Sequence, residues 1–147
     1  MNGAIGEAPS GYRLCDMADG PFARSIGPLY IRLDGVGFAF VAGERHCNAR
    51  GVVHGGMLMT FADQTLGLTV QRTVGSVDVA TVSLNCDLVD GVRPGELVEG
   101  EAVVTRITRS LVFVQGSVRC NARPVLTASG LWKILRTNQG GDRPPSQ

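Results

Sequence analysis

The sequence predicts an α+β domain: one long helix followed by a meander of antiparallel strands. Three observations carry this. A proline-free stretch from about residue 54 to 70 has apolar residues recurring at spacings of three and four, the period of an amphipathic helix. Every later run reads as strand and is bounded by turn residues. The strands do not alternate with helices, so a continuous antiparallel sheet with one face packed on the helix is the natural arrangement. The chain has 147 residues, 44% of them hydrophobic and 18% charged, enough for one domain with a proper core.

Each element follows in order. Residues 1–11 carry Gly, Ala and Pro and are expected to be loose. The run "RLCDMADGPFARSIG" predicts one or two short helical turns, interrupted at Gly20-Pro21. "PLYIRLDG" and "GFAFVAGERHCN" are two short extended runs joined at Asp34-Gly35, a hairpin signal. The helix opens after Gly51, Gly55 and Gly56, which let the backbone bend and approach other atoms, and it fades near Thr73–Gly75. "SVDVATVSLNCDLV" alternates, with Val77, Val79, Thr81, Ser83 and Asn85 on one side and Asp78, Ala80, Val82, Leu84 and Cys86 on the other. Pro94-Gly95 is a turn. "ELVEGEAVVTRITRS" is a second long strand, with Gly100 expected at a bulge or bend. "LVFVQGSVRCN" and "PVLTASGLWKILR" complete the sheet, broken at Asn121-Ala122-Arg123-Pro124, and "TNQGGDRPPSQ" has the composition of disorder. The expected organisation is an N-terminal segment, 1–24, partly ordered; one domain, 25–136; and a flexible tail, 137–147. No internal repeat is visible.

Composition excludes several classes of function. With 14 basic and 13 acidic residues the formal charge is +1, so no broad basic surface points to nucleic acid or an anionic membrane. No run approaches the roughly 18 apolar residues of a membrane span, and the N-terminus lacks the charged flank and apolar run of a signal peptide. Cys15, Cys47, Cys86 and Cys120 form no C-x-x-C pair. Their spacing suggests neither a metal site nor a disulfide framework. The expected setting is the reducing cytoplasm, with buried thiols.

The chemistry concentrates in "NARGVVHGGMLMTFADQTLG", residues 48–67. A helix N-terminus carries unpaired amide hydrogens and a partial positive charge, and glycine there leaves them uncovered. Such amides can hold a carbonyl oxygen that gains charge during acyl transfer. Asn48, just upstream, can add a side-chain donor or orient a water. Asp63 lies eight residues beyond Gly55, roughly 12 Å along the axis at about 1.5 Å per residue. A carboxylate cannot span that gap, so Asp63 cannot serve the amides of its own helix start; it can serve those of a helix running the other way. Gly56, Thr60, Asp63 and Gly67 lie near one stripe. Small residues there allow another element to come close. The inference is a two-fold dimer with antiparallel central helices and two composite sites. Taken singly, a glycine pair at a helix start is most often backbone accommodation, and a mid-helix Asp most often faces solvent. Within twenty residues they supply different parts of one reaction.

At these residues the chain resembles a known family. Asn48, Gly51, His54-Gly55-Gly56 and Asp63 look like the N-x-x-G-x-x-H-G-G-x(6)-D signature of hotdog-fold acyl-CoA thioesterases. The nearest type is the phenylacetate-pathway (PaaI-like) group, related to 4-hydroxybenzoyl-CoA thioesterases, and the likeness covers about residues 25–136. It implies a long helix wrapped by a curved antiparallel sheet, in chains that pair into homodimers with a continuous sheet and often into homotetramers. It implies a thioester carbonyl held near the amide of Gly55 with Asn48 nearby, and Asp63 from the partner chain acting as general base or nucleophile. Thr81 falls where the family places a Ser or Thr that holds the water, and His54 helps position the thioester. "RITRSLVF" resembles a coenzyme A contact segment, making Arg109 and Ser110, with Gly56, the candidate substrate contacts. No cofactor or metal is implied, because coenzyme A is part of the substrate.

Two alternatives sit on the same fold. One is a non-catalytic acyl-CoA binding or sensing module, for which no DNA-binding segment is visible. The other is a hydratase, which needs an acid–base pair over the acyl chain; only His46 and His54 are available, with no hydratase-type Asp/His signature. The identity of the acyl group is not written in the sequence.

Overall fold

A computed structural model describes residues 7–135 apart from Asp19 and Val77. The expectations for most of the first few residues and for the 137–147 tail therefore fall outside the described residues. The strands are β1 (Tyr12–Leu14), β2 (Tyr30–Arg32), β3 (Phe38–Val41), β4 (Val79–Leu88), β5 (Leu97–Ile107), β6 (Leu111–Cys120) and β7 (Arg123–Ile134). They form one antiparallel sheet in the order β1-β2-β3-β5-β6-β7-β4. A short helix α1 (Pro21–Ile26) precedes β2, and the long helix α2 (Gly55–Val74) lies between β3 and β4 in sequence.

Helix α2 ends as its sequence dictates. Gly75 takes the left-handed conformation (φ 68°) and its amide bonds the Gln71 carbonyl, closing the last turn. Arg72 donates to the Gly35 carbonyl, tying that end to the β2–β3 turn. The helix buries Leu58, Phe61, Ala62, Leu66 and Val70 against Val98, Val112, Val114, Val118 and Leu126 of the sheet. Phe61 meets Phe40 of β3 edge to face, with centroids 4.9 Å apart. No helix among the described residues is long and apolar enough to cross a membrane.

The helix lies close because small residues floor the sheet beneath it. A Cβ at Gly100 of β5 would stand 2.6 Å from Thr65 Oγ1 and 2.9 Å from the Phe61 ring. At Gly116 of β6 it would stand 2.6 Å from Leu66 Cδ1. Gly100 is thus a point of close approach and not the expected bulge. Its pairing with Phe38 and Val118 is regular, and the break in β5 falls between Val104 and Arg106.

Four further differences have physical reasons. Tyr12–Leu14 forms a strand where only helical turns were expected, because pairing with Tyr30–Arg32 outweighs a weak local preference. Gly20-Pro21 begins α1 and does not interrupt a helix: a proline at the first helical position lacks only an amide that has no partner there. The β6–β7 turn is tighter than expected, with Asn121 and Ala122 both at positive φ (49° and 65°), so β7 already starts at Arg123. The strict alternation of β4 fails at Val82, where the register against β7 shifts between Thr81 and Ser83.

Replacing Gly100 with Ala should destabilise the protein by about 1–3 kcal/mol through overpacking under α2. The control is Gly91→Ala, where a new Cβ meets nothing within 4 Å. Urea midpoints of the two variants measure the difference, and equal midpoints would contradict the close-approach account.

Candidate active site

The donor half of the candidate site is a loop that presents one amide. Asn48 Oδ1 accepts from the Arg50 amide at 2.9 Å, and the Asn48 backbone accepts from Gly51, which sits at φ 75°. The loop is pinned by a Cys47–Val53 bridge, by Val53 N donating to the Val92 carbonyl, and by His54 N donating to the His46 carbonyl. His54 is the N-cap of α2, and its Nδ1 accepts from the Gly56 amide at 2.8 Å. The lack of a side chain at Gly56 makes room for that ring, since a Cβ would stand 3.0 Å from Nδ1. Met57 and Leu58 amides bond the His54 carbonyl. The Gly56 amide is therefore taken. The Gly55 amide has no hydrogen-bond partner among the described residues and is the one open donor of the first turn.

The acid half lies two turns further along. Asp63 is half-buried, and Thr81 Oγ1 of β4 donates to its Oδ1 at 2.8 Å. This contact depends on the β4 irregularity. The extra residue, Val82, is turned out and 56% exposed, so Thr81 faces α2 while Leu84 and Cys86 still pack on the core. Burial pushes the Cys86 thiol up, and the negative charge of Asp63 adds to the shift. Gly55 sits at the other end of the same strand, its Cβ position 3.4 Å from Leu88 Cδ2.

The remaining expected residues separate. Arg109 and Ser110 form the β5–β6 turn, with the Ser110 carbonyl accepting from Ile134, beside the Val79 end of β4. They do not meet Gly55 of the same chain, which lies by Leu88. The stripe expected to admit another element is partly used within the chain: Trp132 of β7 fills the clearance at Gly67, with Nε1 3.2 Å from the Cβ position. Thr60 Oγ1 donates back to the Gly56 carbonyl. Among the described residues no group of three or more His, Cys, Asp or Glu side chains could hold a metal ion. All four cysteines are free thiols, Cys15 and Cys120 buried and the other two half-buried.

A cleft of ≈ 390 Å³ opens beside the donor half, between α1, the 3-10 turn Glu44–His46 and the start of α2. Phe22, Ile26, Arg45, His54, Met57 and Thr60 are among its walls. His46 fastens this wall. Its Nδ1 accepts from the Gly43 amide at 3.0 Å, so the proton of the neutral ring sits on Nε2, which donates to the Ile26 carbonyl at 2.8 Å. The ring also packs edge-on against Phe40. Burial holds the His46 imidazolium pKa below the usual range; the Ile26 carbonyl opposes this and the Arg45 charge adds to it. Sequence reading missed Phe22 and Arg45, which carry no local signal: α1 and the 3-10 turn meet only in the folded chain.

Comparison with known proteins adds the relatives. Residues 50–126 match the family described as Thioesterase superfamily. The Pseudomonas aeruginosa protein named "Putative esterase PA0474" is 30% identical over 118 residues, covering 78% of this chain and 88% of its own. Among solved structures, a mutant of the phenylacetic acid degradation protein PaaI from Thermus thermophilus superposes with a TM-score of 0.69 at 24% identity, covering 79% of this chain and 100% of that one. BH2602 of Bacillus halodurans, solved with CoA, superposes with a TM-score of 0.69 at 23% identity, covering 79% and 78%.

Two outcomes follow from the local geometry. His54→Ala should cost about 1 kcal/mol of stability by removing the cap, whereas His54→Asn, a good cap, should recover most of it; thermal melts of both variants test this. Because folding lowers the His46 pKa, the unfolded chain binds the proton more readily, and stability should fall as pH drops below about 6.5. A His46→Gln variant should lose that part of the pH dependence, read from urea midpoints at pH 7.5 and 5.5.

Proposed function

Since the chain belongs to the thioesterase superfamily and has the hotdog fold, we propose that it hydrolyses an acyl-CoA thioester at sites shared between two subunits. The observation that carries this reading is the placement of the two half-sites along one edge. Among the described residues β4 pairs only with β7, which leaves its other side, ten residues long, at the rim of the sheet. Gly55 lies against Leu88 at one end of that strand and Asp63 is bonded to Thr81 towards the other. A two-fold axis through the middle of β4 exchanges the ends. It sets Thr81 and Asp63 of the partner subunit beside Leu88 and Gly55, and extends the sheet across the dimer. The exposed apolar outer face, with Val103 and Phe113, suits a further pairing into a tetramer.

The chemistry follows from the parts. The thioester oxygen accepts from the Gly55 amide, at the positive end of α2, where charge developing on that oxygen is stabilised. Asn48 Nδ2 is the nearby side-chain donor, because its Oδ1 is engaged by the loop. Asp63 of the partner subunit, oriented by its own Thr81, removes a proton from water as the water oxygen bonds the carbonyl carbon. Collapse of the tetrahedral adduct breaks the C–S bond; the thiolate takes the proton, giving acid and free coenzyme A. In the nucleophilic variant Asp63 Oδ attacks first and water then cleaves the anhydride. Arg109 and Ser110, at the Val79 end of β4, are carried by the same axis towards the partner's Gly55 end. There an arginine suits a nucleotide phosphate. Coenzyme A enters and leaves as substrate and product, so no cofactor is needed.

Complementation separates a shared site from an internal one. Asp63→Asn should lower thiol release by orders of magnitude. Gly55→Pro removes the open amide at a helical position that tolerates proline, and the extended His54 (ψ 135°) accepts a following proline. A refolded equimolar mixture of the two inactive variants should recover about a quarter of wild-type activity, because half the dimers are mixed and each has one intact site. No recovery, with mixed dimers present, would place acid and amide in the same chain. Acyl-CoA binding without thiol release by the wild-type protein would favour the binding-module reading.

A further inference from the structure

The cleft beside the donor half takes no part in the hydrolytic steps proposed above. It begins at His54 and Met57, immediately flanking Gly55, and runs between α1 and the 3-10 turn. Its walls combine apolar surface from Phe22, Ile26 and Met57 with one permanent cation, Arg45. Phe22 is 61% exposed, an unusual investment of an aromatic side chain on a six-residue helix. Among the described residues no Asp or Glu lines the cleft. Arg45 has no carboxylate partner among the described residues; its guanidinium makes only long contacts, 3.4 Å each, to the Ser25 and Ile26 carbonyls. Those two contacts hold the head group at the mouth of α1 and leave other N–H donors unused.

Resting on the thioesterase reading, we propose that this cleft receives the acyl group and that Arg45 selects acyl groups ending in an anionic oxygen, the monothioesters of short dicarboxylic acids. A carbonyl at the Gly55 amide places the first acyl carbons against Met57 and His54. The Arg45 backbone is close by, since its neighbour His46 receives the His54 amide. A chain of a few methylenes crosses the apolar part and ends at the guanidinium, where a carboxylate is held by paired, charge-assisted hydrogen bonds. The same chemistry would hold a phosphate of coenzyme A. The pantetheine arm, however, puts the phosphates many bonds further from the thioester carbon than the far end of a short acyl group.

The test compares hexanoyl thioesters with adipoyl thioesters, equal in carbon number and differing by a terminal carboxylate. Each is offered both as the CoA thioester and as the phosphate-free N-acetylcysteamine thioester. The wild-type protein should prefer adipoyl by about tenfold in kcat/KM in both series, mostly through KM. Arg45→Met should bring the preference to about one, and Arg45→Lys should restore part of it. Loosening of α1 alone would depress both acyl groups together and leave the ratio intact, which would overturn the proposal. A loss confined to CoA thioesters, equal for both acyl groups, would assign Arg45 to phosphate and overturn it as well. Hydrolysis with no adipoyl preference overturns the proposal while leaving the thioesterase reading in place. Absence of thiol release from every thioester defeats that reading itself.

Discussion

Close approach of α2 to the sheet is the constraint on which the other features rest. A twenty-residue helix can pack on seven strands at many heights, and here the height is set where side chains are absent. Gly100 and Gly116 lie under Thr65, Phe61 and Leu66, and Ala102 and Ala128 continue the same floor. The interior is filled from the helix side by Leu58, Phe61 and Leu66 and from the sheet side by valines and small residues, with Phe40, Leu126 and Trp132 as the large exceptions. Among the described residues one buried side-chain polar atom is left over: Thr65 Oγ1 has no hydrogen-bond partner and is pressed towards Gly100. That cost is tolerated because a larger separation would open the whole layer.

Once α2 is fixed against the sheet, its relation to β4 is fixed too, and the proposed chemistry rests on that relation. The helix and the edge strand run in opposite directions. The first turn of one therefore lies by the last residue of the other, and Asp63 comes to Thr81. Nothing within a protomer can close the distance between amide and acid, because both belong to one rigid helix. The loop before α2 adds specificity of a different kind. His54, Gly56 and Asn48 satisfy one another and the backbone, and what remains is a single unpaired N–H. Three residues that read as candidate site residues also form the scaffold that isolates Gly55.

The sequence made the long helix, its cap glycine and the four long strands legible, since each has a strong period and clear punctuation. Short elements were less so. β1 has three residues and exists through its pairing with β2, which no local pattern announces. Gly100 carried a correct warning and the wrong cause, because a glycine in a strand signals either a bulge or a close neighbour and only the fold tells which. The switch of sides at Val82 was hidden by an alternation that looked regular. Asn48, Gly55 and Asp63 stood out by spacing and Thr81 by the family resemblance, and the distance between Gly55 and Asp63 along one helix was readable from helix geometry alone. Arg45 and Phe22 did not stand out, since the cleft they line is assembled from segments with no shared motif.

The cleft stands outside the trough that fixes the helix. Its outer walls come from α1 and a 3-10 turn, which are bonded to each other through the Ser25 and Ile26 carbonyls, Arg45 and the His46 ring. Exchange of Phe22 or Arg45 leaves the glycine floor, the capped loop and the Thr81–Asp63 pair untouched. On the proposed reading, taste for cargo and power to cut it are therefore heritable as separate traits. Descendants of this chain can trade one cargo for another by altering a few outlying residues while the cutting machinery passes on unchanged.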